Sequence, residues 1–250
     1  TGYTFYGWAE PMFMPLMFAT TLIDWLASLV IARDDWRLWR HRGKPMPLLE
    51  HGGLRSPVQR LAIRSSIVLN ICVLGFFKYF NFGVDSYNAL ARSLGLEAGQ
   101  WNTFFEVILP LGISFFTFTQ IAFLVDAHQK KAAEPEFTNY ALFVTYFPHL
   151  IAGPVLHHKE MMPQFREAKT YRFSWDNLAV GMGLFAMGLS KKVVIADRLS
   201  DYPGKVFGAA ALGTPLYAHD AWAGVLSYTF QLYFDFSGYS DMAIGLARMF

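Results

Sequence analysis

The part of the chain best suited to chemistry is a polar stretch near its end. Residues 231–241 read QLYFDFSGYSD and interrupt an apolar segment at residues 222–250. The stretch contains five polar side chains: Gln231, Asp235, Ser237, Tyr239 and Asp241. On a helix, the first, second and fourth of these repeat every four residues and form one polar ridge. The other two form a second ridge on roughly the opposite face.

These ridges have two open interpretations. Buried carboxylates can hold a proton or an ion, or shape the electrostatics of a reaction site. They can equally form an interhelical clamp, in which Asp235 or Asp241 pairs with a lysine or arginine elsewhere. A helix that is polar on two faces cannot present either face to lipid. We therefore expect it inside a bundle, or facing water near Gly238, where another chain could pass closely.

Other ionisable residues also interrupt apolar segments. Asp24 lies in the middle of residues 11–32 and needs a partner, for which a structural pair is favoured. Lys191 and Lys192 are adjacent within residues 178–196, and this pattern favours an interfacial helix end.

The familiar catalytic and metal-binding motifs are missing from the sequence. None of the seven histidines belongs to an H-E-x-x-H zinc motif, and adjacent His157 and His158 would point about 100° apart on a helix. There is no G-x-S-x-G nucleophile elbow and no phosphate-binding loop. The single cysteine, Cys72, excludes an intramolecular disulfide and a multi-cysteine metal site. Spacing alone therefore predicts no metal site and no catalytic constellation.

The composition indicates a membrane protein. Of the 250 residues, 54% are hydrophobic and 16% are charged, whereas soluble domains carry roughly 25% charged residues. The mean hydropathy is +0.26. A net charge of +2 is too small to indicate a nucleic-acid binder.

The elements that position the polar residues are predicted to be membrane helices. A spanning helix needs about 20 mostly apolar residues. Six segments approach this length: residues 11–32, 65–84, 107–125, 137–156, 178–196 and 222–250. Because an open sheet cannot cross lipid, we predict an all-α, polytopic bundle with about five or six embedded helices.

Basic residues predict the orientation of the first loops. Residues 33–64 carry eight lysines and arginines against three acidic residues, whereas residues 85–106 carry only Arg92. Since short cytoplasmic loops are rich in basic residues, the first loop is predicted to be cytoplasmic and the second to face outside.

The fourth segment is predicted to contain a break. Pro148 and the pair Gly153-Pro154 disfavour a continuous helix over residues 137–156. Two interpretations stay open: a re-entrant or half-spanning element covered by protein, or an ordinary proline-kinked span.

Both ends of the chain have the pattern of internal sequence. The chain begins at Thr1 without a methionine and stops at Phe250 inside an apolar segment. We expect residues 1–250 to be the partial membrane domain of a longer polypeptide.

Five stretches resemble one family. They are residues 5–8 (FYGW), 75–82 (GFFKYFNF), 109–118 (LPLGISFFTF), 147–154 (FPHLIAGP) and 228–241 (YTFQLYFDFSGYSD). In this order they are similar to the membrane-bound O-acyltransferase family, in its bacterial branch of alginate O-acetyltransferases and teichoic-acid D-alanyl transfer proteins.

The resemblance implies a ring of helices around a thinned centre, where a tunnel brings an acyl donor to an acceptor hydroxyl. Six residues would line or brace this tunnel: His149, Gln231, Asp235, Ser237, Tyr239 and Asp241. The family's catalytic histidine lies in a later segment, beyond Phe250, so the catalytic residue is not assigned and the fragment is expected to be inactive. That histidine would act as general base on the acceptor hydroxyl.

The implied activity is transfer of an acyl group, with acetyl favoured, to hydroxyls of an extracytoplasmic polysaccharide such as alginate. Acetyl-CoA or an acyl carrier on the cytoplasmic side would be the co-substrate, with no bound cofactor and no metal. The expected surroundings are the lipid bilayer of the inner (plasma) membrane and polysaccharide-modification proteins of the cell envelope, with no nucleic acid. Cellulose, peptidoglycan and teichoic acid are other possible acceptors. The alternative is a transporter or channel that uses Asp235 and Asp241 as ion or proton sites.

Overall fold

The structure is a computed structural model that describes residues 2–41, 54–95, 101, 106–148, 150, 153 and 158–250. These residues form helices, and no strand occurs among them. The α-helices are α1 (Gly2–Ala9), α2 (Met14–Arg33), α3 (Pro57–Ser93), α4 (Ile113–His128), α5 (Phe137–Val144), α6 (His158–Phe165), α7 (Trp175–Ser190), α8 (Asp197–Ala211) and α9 (Ala218–Met249). Short 3₁₀ turns cover Pro11–Phe13, Leu38–His41 and Ala168–Tyr171, and Lys191–Ala196 is a π-helical segment.

The chain divides into two compact units. Unit 1 comprises Thr1–Phe147 and His157–Pro163, and unit 2 comprises Pro148–Leu156 and Gln164–Phe250. Unit 1 is built on α2, α3 and α4, and unit 2 on the helices from α7 to α9.

The three long helices of unit 1 pack around an apolar core. Its fully buried members are Val30, Ile31, Ala62, Leu124 and Ala127. These side chains come from all three helices, so their burial fixes the mutual register of α2, α3 and α4. Arg55 Nε also donates a hydrogen bond to His128 O, which places the end of α4 beside the start of α3.

Helix α3 is longer than the apolar segment that predicted it. It begins at Pro57 because Ser56 and Gln59 form a capping box, and it ends at Ser93. Its 37 residues span about 56 Å at 1.5 Å per residue, more than the roughly 30 Å of a bilayer core. The end of the basic stretch at residues 33–64 and the start of the stretch at residues 85–106 are therefore helical.

Helix α4 starts later than predicted. Residues 107–112 are not helical, because Pro110 lacks an N–H donor and Gly112 adopts a left-handed conformation with φ of 69°. The Asn81 side chain fixes the start of this irregular segment, because it donates a hydrogen bond to Val107 O at 2.8 Å and accepts one from Val107 N at 3.1 Å. The prediction of a helix over residues 107–125 is wrong at its start, and the helix is Ile113–His128.

The fourth apolar segment is interrupted where its prolines predict a break. Helix α5 ends at Val144, and residues 145–148 are irregular. Leu150 is 1% exposed, so this residue after the break is buried in protein. His149 and Pro154 lie outside the described residues. The break is confirmed, and a single proline-kinked helix over residues 137–156 is wrong.

Residues on both sides of the interruption make contacts within unit 1. The Phe147 ring centroid lies 5.9 Å from that of Phe5 in α1. Beyond the interruption, His158 Nδ1 lies 3.3 Å from a carboxylate oxygen of Asp126 in the last turn of α4. The start of α6 therefore lies beside the end of α4, and a re-entrant or half-spanning path for residues 137–156 stays a prediction.

Unit 2 is a helical hairpin. α7, the π-helical segment and α8 form one continuous helix over Trp175–Ala211, and α9 packs against it. The predicted segment at residues 178–196 therefore continues for fifteen further residues. The interpretation of Lys191 and Lys192 as an interfacial helix end is wrong, because the helix does not end there.

Glycines allow the two helices of this hairpin to approach closely. A Cβ at Gly238 would lie 2.7 Å from Gly188 O, and one at Gly245 would lie 2.6 Å from Gly181 O. Both pairs are seven residues apart on each helix, which keeps them on one face in an antiparallel arrangement. Only glycine fits at these positions without moving the partner backbone.

Three helices in the described part of the chain are long and apolar enough to cross a membrane: Pro11–Arg33, Pro57–Ser93 and Trp175–Ala211. Helix α4 is a shorter apolar helix. The all-α membrane class is confirmed, and the number of five or six embedded helices stays a prediction.

Candidate functional site

The polar stretch of α9 meets two lysines of the facing helix. Lys191 Nζ lies 2.6 Å from Asp241 Oδ2 and donates to Ser237 Oγ at 3.2 Å. Lys192 Nζ lies 2.6 Å from Asp235 Oδ1. We call these five residues the lysine clamp.

Lys192 has a second carboxylate partner. Its Nζ lies 2.8 Å from Asp197 Oδ1, at the start of α8. Two ammonium groups therefore face three carboxylates, which leaves a formal charge of −1. The side chains of the Lys191–Asp241 pair are 30% and 24% exposed, so this is the more buried of the two α9 pairs.

Close helix packing positions the clamp. A Cβ at Gly238 would lie 3.1 Å from Lys192 N and 3.3 Å from Lys191 Cβ, so Gly238 sits directly against the lysine backbone. Asp235 and Asp241 each lie three residues from Gly238, so on the helix they flank this contact point on its two sides. This explains how two carboxylates of α9 find partners from a single neighbouring segment.

The π-helical segment contributes to this placement. Lys191 and Lys192 are its first two residues. A π-helical segment changes the rotation per residue, and such segments are frequent at functional sites. Here it sets the directions in which two successive lysines leave the helix.

The contacts decide between the sequence interpretations only in part. Both Asp235 and Asp241 have the lysine partners that the clamp interpretation predicts. At Gly238 the backbone of α7 approaches closely through Gly188, so a neighbouring helix lies against this glycine. The lining or bracing of an acyl tunnel stays a prediction.

Three predicted site residues, Gln231, Tyr239 and His149, are not part of the lysine clamp. Gln231 and Tyr239 lie on the same helix and are half-buried. Lys191 and Lys192 contact Asp235, Asp241 and the Ser237 hydroxyl of the polar stretch, and Asp197 of the neighbouring α8. His149 lies outside the described residues.

Sequence reasoning did not assign the lysines to this cluster. The signal was present, because two cations in one apolar segment and two carboxylates in another are mutually complementary. The pairing was missed because the lysines were assigned to a helix end, where snorkelling would satisfy them.

A second polar cluster is buried in unit 1. Asn70 Nδ2 donates to both carboxylate oxygens of Asp24, at 2.9 Å each, and Asp24 is fully buried. This confirms the predicted structural pair, although the partner is a neutral amide. Beside it, Gln120 Nε2 donates to Thr21 Oγ1 at 3.1 Å.

This cluster has hydrogen-bonding capacity left over. Gln120 Oε1 and the Tyr140 hydroxyl are buried and have no hydrogen-bond partner among the described residues. Buried polar atoms normally have partners in protein or in ordered water. The cluster can therefore hold water or another small polar group, and its amide and phenol members were missed because uncharged residues do not stand out in a hydropathy profile.

A buried carboxylate–histidine pair completes the polar features of unit 1. The His158 ring is 5.5 Å from Phe123 in an edge-on arrangement, with Nδ1 directed at Asp126. Such a pair can orient an imidazole, and here it joins the start of α6 to the end of α4. No group of three His, Cys, Asp or Glu side chains in the described part of the chain is arranged to hold a metal ion.

A family model and several known proteins are similar to this chain over most of its length. The model of the membrane-bound O-acyltransferase family matches residues 62–250. The chain is 39% identical over 248 residues to a probable alginate O-acetylase of Azotobacter vinelandii, covering 99% of this chain and 44% of that protein. It is 35% identical over 274 residues to a peptidoglycan O-acetyltransferase of Helicobacter pylori, covering 98% and 46%.

A more distant relative lies in the teichoic-acid branch. The chain is 25% identical over 147 residues to a teichoic acid D-alanyltransferase of Bacillus subtilis, covering 57% of this chain and 35% of that protein. No solved structure gives a significant match. The chain spans less than half the length of the relatives it matches.

The family match covers both the interrupted fourth segment and the whole lysine clamp. The chain belongs to the membrane-bound O-acyltransferase family.

Proposed function

We propose that the chain is part of an O-acyltransferase that moves an acetyl group onto hydroxyls of an extracytoplasmic polysaccharide such as alginate. The observation that carries this proposal is the similarity to alginate O-acetylases and a peptidoglycan O-acetyltransferase over nearly the whole chain. In the reaction, a hydroxyl oxygen of the polymer attacks the acyl carbonyl carbon. The bond to the donor breaks, and the hydroxyl proton passes to a base and then to the leaving group.

The lysine clamp would serve this reaction by positioning. Ion pairs between the π-helical segment and α9 fix the axial register of the two packed helices. Lipid offers no comparable directional contact that would fix this register. Glycine contacts at Gly188 and Gly238 bring the same two backbones together. We propose that the clamp and these glycines form a rigid wall that braces the acyl tunnel.

The donor and the surroundings follow from this proposal. Acetyl-CoA or an acyl carrier would approach from the cytoplasmic side, and the acceptor would lie outside. The protein would be a multi-pass protein of the inner membrane and would work with polysaccharide-modification proteins of the cell envelope. The basic stretch at residues 33–64 supports a cytoplasmic first loop.

The transporter alternative is not favoured. A transported cation would need carboxylates with free coordination capacity, whereas Asp235 and Asp241 each contact an ammonium group at 2.6 Å. The relatives that match nearly the whole chain are named as acetylating enzymes.

Complementation tests the proposal. The complete gene that encodes this chain is introduced into an alginate-producing strain that lacks its own alginate O-acetylase. We expect O-acetyl signals to return in the proton NMR spectrum of the secreted alginate. A well-expressed protein that leaves alginate unacetylated would reject alginate as acceptor, and the acetyl content of peptidoglycan and teichoic acid in the native host would then be compared with and without the gene.

A further inference from the structure

A short turn after α2 exposes tryptophans next to arginines. We call residues 36–40 the Trp–Arg turn. Trp36 and Trp39 are 51% and 74% exposed, and Arg37 and Arg40 are exposed beside them. The Arg40 guanidinium carbon lies 5.6 Å from the centre of the Trp39 ring. Tryptophan side chains this exposed present apolar surface to the surroundings of the protein.

The acidic residues of this turn are already engaged in local bonds. Asp35 accepts a hydrogen bond from Arg37 N at 2.8 Å and lies 3.0 Å from His41 Nε2. The Arg37 N–H holds the pKa of the Asp35 carboxyl below its ordinary value, so this group stays ionised. Asp34 accepts a hydrogen bond from Ser56 Oγ. The Arg40 charge also helps to lower the Asp35 pKa, but no salt bridge among the described residues joins Asp34 or Asp35 to the guanidinium group of Arg37 or Arg40.

The position of the turn matches a membrane surface. It begins directly after α2, which is long and apolar enough to cross a bilayer and ends at Arg33. Tryptophan is enriched at the level of the lipid headgroups, and arginines near a membrane surface attract anionic lipids. Planar guanidinium groups also bind phosphate in a two-pronged geometry.

We propose that the Trp–Arg turn is a binding site for the phosphate headgroup of an anionic phospholipid. Arg37 and Arg40 bind the phosphate, while the rings of Trp36 and Trp39 lie against the glycerol and upper acyl region of the same lipid layer. The site would anchor the cytoplasmic end of α2, and it does not depend on the proposed enzymatic reaction.

Lipid retention measured by native mass spectrometry tests this site. The full-length protein is purified and titrated with phosphatidylglycerol or with phosphatidylcholine, and the bound lipids are counted. The variants are Arg37→Gln, Arg40→Gln and the double variant. Arg92→Gln is the matched control, because Arg92 is an exposed arginine in the last turn of α3 and outside the Trp–Arg turn.

We expect the wild-type protein to prefer phosphatidylglycerol. Removing one arginine should lower its affinity about fivefold and removing both about thirtyfold, at about 1 kcal/mol for each basic residue near a membrane surface. Phosphatidylcholine binding and the Arg92→Gln control should be unchanged. Equal loss in Arg92→Gln, or an unchanged preference in the double variant, would overturn the proposal.

A second measurement does not depend on the arginine variants. In vesicles, tryptophan fluorescence is quenched by phosphatidylglycerol brominated on its upper acyl carbons. Replacing Trp39 with Phe should remove part of this quenching, and the lost part should be larger than with brominated phosphatidylcholine at equal density. Identical quenching of the wild-type protein and the Trp39→Phe variant would place Trp39 away from lipid and reject the site.

Discussion

Replacing Gly238 with alanine tests how the lysine clamp is held. The new Cβ would lie 2.7 Å from Gly188 O, which is 0.7 Å short of an ordinary 3.4 Å contact. It would also meet Lys192 N at 3.1 Å and Lys191 Cβ at 3.3 Å. Because these atoms belong mainly to backbone, α7 and α9 must move apart by several tenths of an ångström, and the lysine–carboxylate pairs must lengthen with them.

The size of the effect follows from opposing terms. Overpacking of this kind costs about 1–3 kcal/mol. Alanine recovers up to about 1 kcal/mol over glycine in a helix. We therefore expect a net loss of up to roughly 2 kcal/mol, and each kcal/mol corresponds to a fall in Tm of roughly 2–4 °C in a domain of 150–250 residues.

This change in Tm is measured on the full-length protein in detergent by thermal unfolding monitored with fluorescence-detection size-exclusion chromatography. Gly183→Ala is the matched control, because it lies on α7 and a Cβ there meets nothing within 4 Å. The control should leave Tm unchanged or raise it slightly. Equal Tm values for Gly238→Ala and Gly183→Ala would refute the reasoning that the two backbones touch at Gly238.

Three further predictions concern the ion pairs, the buried amide and the path of the interrupted fourth segment. Asp241→Asn should destabilise the protein by roughly 1–3 kcal/mol and reduce polymer acetylation more than Asp235→Asn does, because in the latter variant Lys192 keeps a second carboxylate partner, Asp197, at 2.8 Å. Equal effects of the two variants on stability and acetylation would contradict the clamp geometry. Asn70→Leu should lower the free energy of unfolding by about 1–3 kcal/mol, since it leaves the fully buried Asp24 carboxylate without its amide donor. A Tm equal to that of the wild-type protein in thermal unfolding would argue against that hydrogen bond. In a cysteine-free background, cysteines at Lys131 and Lys159 should both resist an impermeant maleimide on intact cells; labelling at only one of them would mean that the segment spans the membrane.

The helical class and the main apolar segments could be predicted from composition and hydropathy. Those properties depend on what each residue can bury, which is local information. The break near Pro148 was predictable for the same reason, since proline acts on its own backbone and on the residue before it.

Features that depend on a partner could not be predicted. The late start of α4 depends partly on the contact of Val107 with Asn81, 26 residues away. The role of Lys191 depends on a carboxylate 50 residues later. The buried amides and phenol of unit 1 are uncharged, and their clustering depends on the packing of α2, α3, α4 and α5.

The candidate site itself was predicted in its residues but not in its partners. The spacing from Asp235 to Asp241 gave two ridges, and both are engaged in the structure. Nothing in the spacing indicated that two successive lysines serve both ridges, because that requires the close approach of backbones at Gly238.

The most direct test of the account is the O-acetyl content of the surface polysaccharides in the organism that encodes this chain. Each polymer is purified from wild-type cells, from cells with the complete gene deleted, and from deleted cells that carry the gene again, and its ester-linked acetate is quantified by NMR. We predict that one extracytoplasmic polymer loses its O-acetyl groups on deletion and regains them on complementation. Unchanged acetyl content in every polymer, together with altered ion uptake, would contradict an acyltransferase and support a transporter.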